Sequence, residues 1–230
     1  MKKKVMVLSL GGSLMFKDNK VNVKLLKEFR KIVHKHTRNY KFIIVCGGGS
    51  VARMYISALR EIGESETLQS FAGISVTRTN ARFMSYFFGN DSEGGVPQSA
   101  ETLKKLINKK DIVFCGALEY HPHQTSDSTA AQIAAAFNSD FINLTVVPGL
   151  HDKNPLVHKD AKFIPDILWQ DFDKMASKIE FKPGQHFVLD QKASKIIMKN
   201  KIKTYILGKN LKNLDNLLSG KKFIGTTIHG

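Results

Sequence analysis

The sequence is short of acid, of cysteine and of long apolar runs. Across 230 residues there are 20 Asp and Glu against 35 Lys and Arg, a formal net charge of +15, with only two cysteines and one tryptophan. Two cysteines cannot staple a small secreted fold, and Cys46 and Cys115 each close an apolar run, where buried thiols are expected. No apolar run approaches the roughly 18 residues that a membrane span needs. The opening MKKKVMVLSLGGS has too little apolar length, and meets glycine too early, for a secretory signal. A reducing, cytoplasmic setting is the resulting expectation. The shortage of acid leaves a positive field that attracts anions, so nucleic acid has to be weighed. Nine lysines and one acid, Asp215, lie between Lys192 and Lys222, but they alternate with apolar residues as on the outer faces of helices and strands. There is no arginine-rich tail, zinc-finger spacing or basic run interleaved with aromatics. The charge therefore reads as a solvated surface that draws in a small phosphorylated ligand, with nucleic acid the last of the alternatives.

What is present is a regular alternation. Apolar runs of strand length fall at Val5 to Leu10, Lys41 to Cys46, Ile112 to Cys115, Phe141 to Val147, Lys203 to Leu207 and Phe223 to Ile228. Helical stripes lie between them: Val21 to His36, Val51 to Ile62, Glu66 to Phe88 with Gly73 its weak point, Ala100 to Ile107, Ser128 to Phe137 and Ala193 to Met198. Strands alternating with helices predict an α/β fold around a mainly parallel sheet. The least regular part, Pro148 to Pro183, is where loops and a possible second lobe are expected.

In such sheets ligands collect beyond the carboxyl ends of the strands, and four of those junctions carry unusual chemistry. Two are glycine turns directly after predicted strands, SLGGSL and VCGGGSVAR. Glycines let backbone N–H groups come close to a phosphate at a helix amino terminus. Neither turn is a Walker loop or a dinucleotide fingerprint, and either alone could be a tight strand-to-helix connection. Two together point to a polyphosphate or to two phosphorylated ligands. The third junction, YHPHQTSDSTAAQIAAA, sets Thr125, Ser126 and Asp127 ahead of an alanine-rich helix. Ser126 or Asp127 fits an N-cap, and the same groups fit a substrate and a transferring phosphoryl. His121 and His123 lack an obvious third metal ligand. The fourth, INLTVVPGLHDKNP, could be a plain turn or a nucleotide loop that uses Thr145 and His151.

Taken together and in order, LGGS, GGGSVARMYI, GISVTRTNAR, TSDSTAA, DFINLT, PGLHDKNP, LDQKASKII and the ending GTTIHG resemble the amino-acid kinase family, most closely its archaeal uridylate kinase branch. The resemblance covers almost the whole chain. It implies a three-layer α/β/α sandwich forming a single domain over residues 1–230, with a phosphate-acceptor half over about residues 1–140 and an ATP half over about residues 141–230. It implies transfer of the ATP γ-phosphoryl to UMP, in pyrimidine biosynthesis, with Mg²⁺ carried on the ATP phosphates and no direct protein ligand. A homo-oligomer, a hexamer built from dimers, is the expected assembly. Carried over by position, Gly12, Ser13, Gly49 and Arg53 fall at the ATP phosphates and the transferred group, and Thr145, His151 and Asn154 at the nucleotide base and ribose. Gly48, Ser70 and the loop Tyr120, His121, Pro122, His123, Gln124, Thr125 and Ser126 fall at UMP. Arg53, Asp127 and Asp190 are the expected catalytic set. Asp190 also fits a structural N-cap, and Arg53 a surface ion pair.

Several positions depart from the family pattern. Ser9 stands where many members carry a lysine, Ser70 replaces an aspartate, and Tyr120 a threonine. The loop GALEYHPHQTSD is longer than in relatives, Val146 and Pro148 replace Asn and Asp, and His151 an aromatic residue. Two other readings follow. One is a kinase of this fold acting on isopentenyl phosphate or a carboxylate, although GGGSVAR lacks the histidine of the former group. The other is a nucleotide-binding protein without turnover.

Overall fold

A computed structural model describes residues 3–18, 20–90, 95–121, 124–155, 157–178 and 188–230. In chain order, β1 (Lys4–Leu10) leads through α1 (Gly12–Met15) and the antiparallel pair β2 (Phe16–Lys17) and β3 (Lys20–Val21) into α2 (Val23–His36). Next come β4 (Tyr40–Cys46), α3 (Gly49–Glu61), the long α4 (Glu66–Phe87), α5 (Ala100–Lys109), β5 (Ile112–Cys115), α6 (Ser126–Ala136) and β6 (Phe141–Leu144). The final third holds β7 (Leu150–His151), β8 (Phe163–Ile164), β9 (Asp166–Leu168), α7 (Trp169–Ser177), α8 (Gln191–Lys199), β10 (Thr204–Leu207), α9 (Lys212–Leu218) and β11 (Thr226–His229).

Seven strands form one sheet in the order β5-β4-β1-β6-β10-β11-β9. The first five run parallel; β11 is antiparallel to β10 and parallel to β9. Alternation along the central strands divides the core between the two faces. Leu8 and Leu10 of β1 and Phe42 and Ile44 of β4 pack with Phe29 of α2, Met84 of α4 and Leu214 of α9. Val7, Ile43 and Val45 face the other way, onto Leu103 of α5, Ala130 and Ala134 of α6, Phe172 of α7 and Ile197 of α8. Both faces are covered by helices, as a parallel sheet requires, and the result is the expected three-layer α/β/α arrangement. Cys46 and Cys115 are buried free thiols, and burial pushes both thiols up, Cys115 to about 12.

Two expectations need correcting, and a third holds through its weak point. The strand from Phe141 stops at Leu144, because Thr145 onward turns away to pack its loop against Gly208, where a Cβ would lie 2.7 Å from the Pro148 Cα. The described part of Pro148 to Pro183 builds no second lobe. β9 joins the edge of the main sheet, and Phe172 of α7 is fully buried in the same core as α6 and α8. Gly73 does not interrupt α4: a Cβ there would lie 3.2 Å from Ile56 Cδ1, so its missing side chain makes room for α3.

Candidate active site

Parallel strands β1, β4, β5, β6 and β10 all deliver their carboxyl ends, and therefore their loops, to one edge of the sheet. There the two glycine turns meet backbone to backbone. Gly47 N–H donates to Leu10 C=O at 3.0 Å, and Gly11 N–H to Leu144 C=O at 3.0 Å. A Cβ on Gly12 would lie 2.2 Å from the Gly49 nitrogen, so no side chain fits between the turns. Gly49 has φ +67°, a left-handed conformation that favours glycine, and it opens α3 with its amides at the helix amino terminus. Arg53 follows one turn later on the same face. It is half-buried, and among the described residues no carboxylate pairs with it. The surface ion pair expected as the alternative for Arg53 is not formed with any described carboxylate, which suits its charge to an anion. Ser13 sits half-buried in α1 beside Gly12.

Opposite the glycines, the amino termini of α6 and α8 are tied together by their caps. The N-cap of α6 is Thr125, not Ser126 or Asp127: its hydroxyl accepts from Asp127 N–H at 3.1 Å and Ser128 N–H at 3.4 Å, while Ser128 Oγ accepts from Thr125 N–H at 2.8 Å. A Ser in place of the usual Glu or Gln closes this capping box. The Thr125 hydroxyl donates to Asp190 Oδ2, and Asp190 Oδ1 caps α8 by accepting from Ala193 N–H at 2.8 Å. Asp190 is thus an N-cap and also the link between the two helices. With Thr125 satisfied, the Asp127 side chain is free of capping. Its Oδ1 accepts from Ser9 Oγ at 2.7 Å. Asp127 is half-buried as a residue, and protein atoms crowd its carboxyl. Burial raises its pKa to about 7, with the nearby Asp190 charge adding to the rise and the Ser9 hydrogen bond opposing it.

The other expected positions spread around this centre. Tyr120 leans edge-on against Phe71, with ring centroids 5.1 Å apart, and its hydroxyl pairs with Thr67 Oγ1 at 3.2 Å. The loop after β5 is thereby attached to the first turns of α4, where Ser70 lies half-buried. His121 is exposed, and Ser126 is half-buried in the first turn of α6. Pro122 and His123 lie outside the described residues. Gln124 donates from Nε2 to Thr129 Oγ1 at 3.0 Å and to Gln132 Oε1 at 2.8 Å. On the far side, Thr145 is half-buried and donates its N–H to Leu207 C=O at 2.9 Å. His151 is half-buried on β7, its Nδ1 3.2 Å from Gly149 C=O and its ring 5.4 Å from that of Phe163. Asn154 is exposed in the turn beyond, accepting from His158 N–H at 2.9 Å.

Sequence reasoning assigned no role to three residues of GISVTRTNAR that touch this region. Asn80 Nδ2 donates to Gly47 C=O at 2.8 Å and Gly48 C=O at 3.3 Å. Thr77 Oγ1 accepts from Ala117 N–H at 3.0 Å, and the Arg78 guanidinium donates to the carbonyls of Ala117 and Leu118. The available signal was polar character on a helix side that should face the core: Thr77 and Asn80 are 7% and 5% exposed, and a buried polar side chain has a partner.

The chain is similar to known proteins in sequence and fold. Residues 4–208 match the amino acid kinase family. The uridylate kinase of Archaeoglobus fulgidus is 33% identical over 226 residues, 96% of this chain and 98% of that one. That of Thermoplasma volcanium is 32% identical over 224 residues, 96% of each. The crystal structure of the Archaeoglobus fulgidus enzyme superimposes with a TM-score of 0.82, covering 97% of this chain and 99% of that chain. The UMP kinase of Ureaplasma parvum, 22% identical, shares the fold with a TM-score of 0.78. By sequence along nearly its whole length, and by the sheet that carries the paired glycine turns, the chain belongs to the amino acid kinase family.

Proposed function

We propose that this protein is a uridylate kinase, transferring the γ-phosphoryl of ATP to the phosphate of UMP to give UDP and ADP. The observation that carries the reading is the contact between the glycine turns. Two backbone cradles separated by no side chain, with Arg53 beside them and paired with no carboxylate among the described residues, suit two phosphate groups that must come into line. Near full-length kinship with proteins named uridylate kinases supplies the acceptor. The two glycine turns, the loop after β6 and the turn after β7 hold ATP, through Gly12, Ser13, Gly49, Arg53, Thr145, His151 and Asn154. Gly48, Ser70 and residues 120–126 hold UMP. These roles divide the single domain into an acceptor half over about residues 1–140 and an ATP half over about residues 141–230.

A nucleoside monophosphate phosphate is already ionised near neutrality, so the acceptor needs no strong general base. The protein's contribution is alignment and neutralisation of charge. Arg53 sits where charge develops on the transferred group, and the amino termini of α3 and α6 add the partial positive charge of their amides. Asp127 and Asp190 are neighbouring carboxylates with no Lys or Arg ion pair among the described residues. That chemistry fits a Mg²⁺ ion carried on the ATP phosphates, whose charge would favour ionised Asp127. Ser9, at the position where many relatives have lysine, holds Asp127 by a neutral hydrogen bond. Exposed Met54 and Tyr55 on α3 and Ile62 just beyond it support a homo-oligomer built from dimers, in keeping with the hexamer expected from the resemblance. The unpaired thiols fit a cytoplasmic setting.

A coupled ADP-release assay with Mg-ATP and a panel of UMP, CMP, dUMP and isopentenyl phosphate tests the proposal. Turnover highest with UMP is expected. No UMP-dependent rate above the ATP-only blank defeats it, and preference for isopentenyl phosphate reassigns the acceptor.

A further inference from the structure

We infer that Thr77 and Arg78, with Asn80, are positioning residues for the acceptor: α4 fixes the second glycine turn and the loop after β5 relative to each other. These segments are far apart in the chain, and α4 joins them within a single helical turn. On one side Asn80 Nδ2 donates to the carbonyls of Gly47 and Gly48. With those oxygens held by α4, the peptide planes of the turn are set just before Gly49 opens α3. On the other side Thr77 Oγ1 accepts from Ala117 N–H while donating to Ile74 C=O at 2.7 Å. Arg78 Nε donates to Ala117 C=O at 3.0 Å, and Nη2 to Leu118 C=O.

Every one of these partners is a backbone atom, so the contacts fix where the chain runs. The packing leaves little freedom. A Cβ on Gly116 would lie 2.5 Å from the Arg78 nitrogen and 2.6 Å from Thr77 Oγ1, so α4 and the chain leaving β5 are in direct backbone contact. Ala117 and Leu118 are 7% and 8% exposed, and water cannot easily substitute for a lost partner there. Arg78 is engaged by neutral carbonyls and has no carboxylate partner among the described residues. Its guanidinium fork therefore matches two successive carbonyls geometrically, which a lysine cannot reproduce. Because Tyr120 also rests on Thr67 and Phe71 of α4, the loop is held by this helix both near its start and at Tyr120.

The assignment to the acceptor side rests on the proposed uridylate kinase reading; the clamp itself rests on the hydrogen bonds. The test compares Thr77→Val, which keeps the shape and removes the acceptor oxygen, with Thr77→Ser, which restores it, and with Arg78→Lys. Steady-state kinetics should show KM for UMP raised at least tenfold in Thr77→Val and Arg78→Lys, KM for ATP within twofold of wild type, and recovery in Thr77→Ser. Hydrogen exchange on the ligand-free protein should speed up at residues 116–118 and leave the strands of the sheet unchanged. Equal rises in both KM values, or unchanged KM for UMP, overturn the acceptor assignment. Exchange that is unchanged, or loosened throughout the sheet, overturns the clamp. Arg78→Lys carries both measurements if Thr77→Val does not fold. Wild-type protein inactive on UMP refutes the function while the exchange measurement still decides the clamp.

Discussion

Replacing Asp127 by Asn should stabilise the ligand-free protein, and by an amount that grows with pH. The carboxyl is crowded by protein, lies near Asp190 and has one hydroxyl donor, Ser9, at 2.7 Å. Its pKa rises from the ordinary 3.8 to about 7. Below the ordinary value the group is protonated in both folded and unfolded chains and contributes no difference. Between the two values the unfolded chain has released the proton and the folded chain retains it, so stability falls as pH rises. Above about 7 the full cost of the buried charge is present. At 1.36 kcal/mol per pKa unit the whole displacement corresponds to on the order of 4 kcal/mol. Because Asp127 is only half-buried as a residue, nearby solvent screens part of it, leaving about 2 kcal/mol as the expected effect. Asn is nearly isosteric and can accept from Ser9, so it removes the charge with little change in packing. Thermal unfolding of wild type and Asp127→Asn from pH 4 to 8.5 reads the difference directly. For a chain of this size about 2 kcal/mol is roughly 4–8 °C in Tm, expected at pH 8 and shrinking towards zero at pH 4. A difference independent of pH, or a variant less stable at pH 8, refutes the reasoning.

The same geometry constrains other changes. Arg53→Ala should lower turnover at least tenfold, since one charge-assisted contact to a transition state contributes about 1.4 kcal/mol or more; steady-state rates at saturating substrates check it. Gly12→Ala places a methyl 2.2 Å from the Gly49 nitrogen, so the turns must separate, with a loss of ATP affinity measurable by calorimetry and a Tm decrease corresponding to about 1–3 kcal/mol. Thr125→Val removes both the α6 cap and the donor to Asp190, and denaturant unfolding should show about 1–2 kcal/mol of destabilisation.

Elements bounded by local signals were legible. β5 runs from Ile112 to Cys115 as its apolar run implies, and both glycine turns follow strands because tight backbone approach leaves a mark in composition. Features decided at long range were not. The three-residue β9 finds its place only by pairing with β11, which lies far later in the chain. Thr125 rather than Ser126 caps α6 because Ser128 completes the box and Asp190 receives the remaining hydroxyl proton. Thr77 and Asn80 act on backbone atoms 40 and 33 positions away, a relation that helical periodicity cannot express. A lone arginine after three glycines, Arg53, is visible in a string of letters; the absence of a competing carboxylate among the described residues is visible only in the fold.

Direct transfer between two phosphates held by adjoining glycine turns moves the γ-phosphoryl of ATP intact onto UMP. Incubation with γ-labelled ATP, Mg²⁺ and UMP, followed by separation of the nucleotides, tests it most directly. Label should enter UDP in step with ADP formation, and should be abolished or reduced at least tenfold in Arg53→Ala. Label appearing only as inorganic phosphate, or no label in UDP above a reaction without UMP, contradicts it.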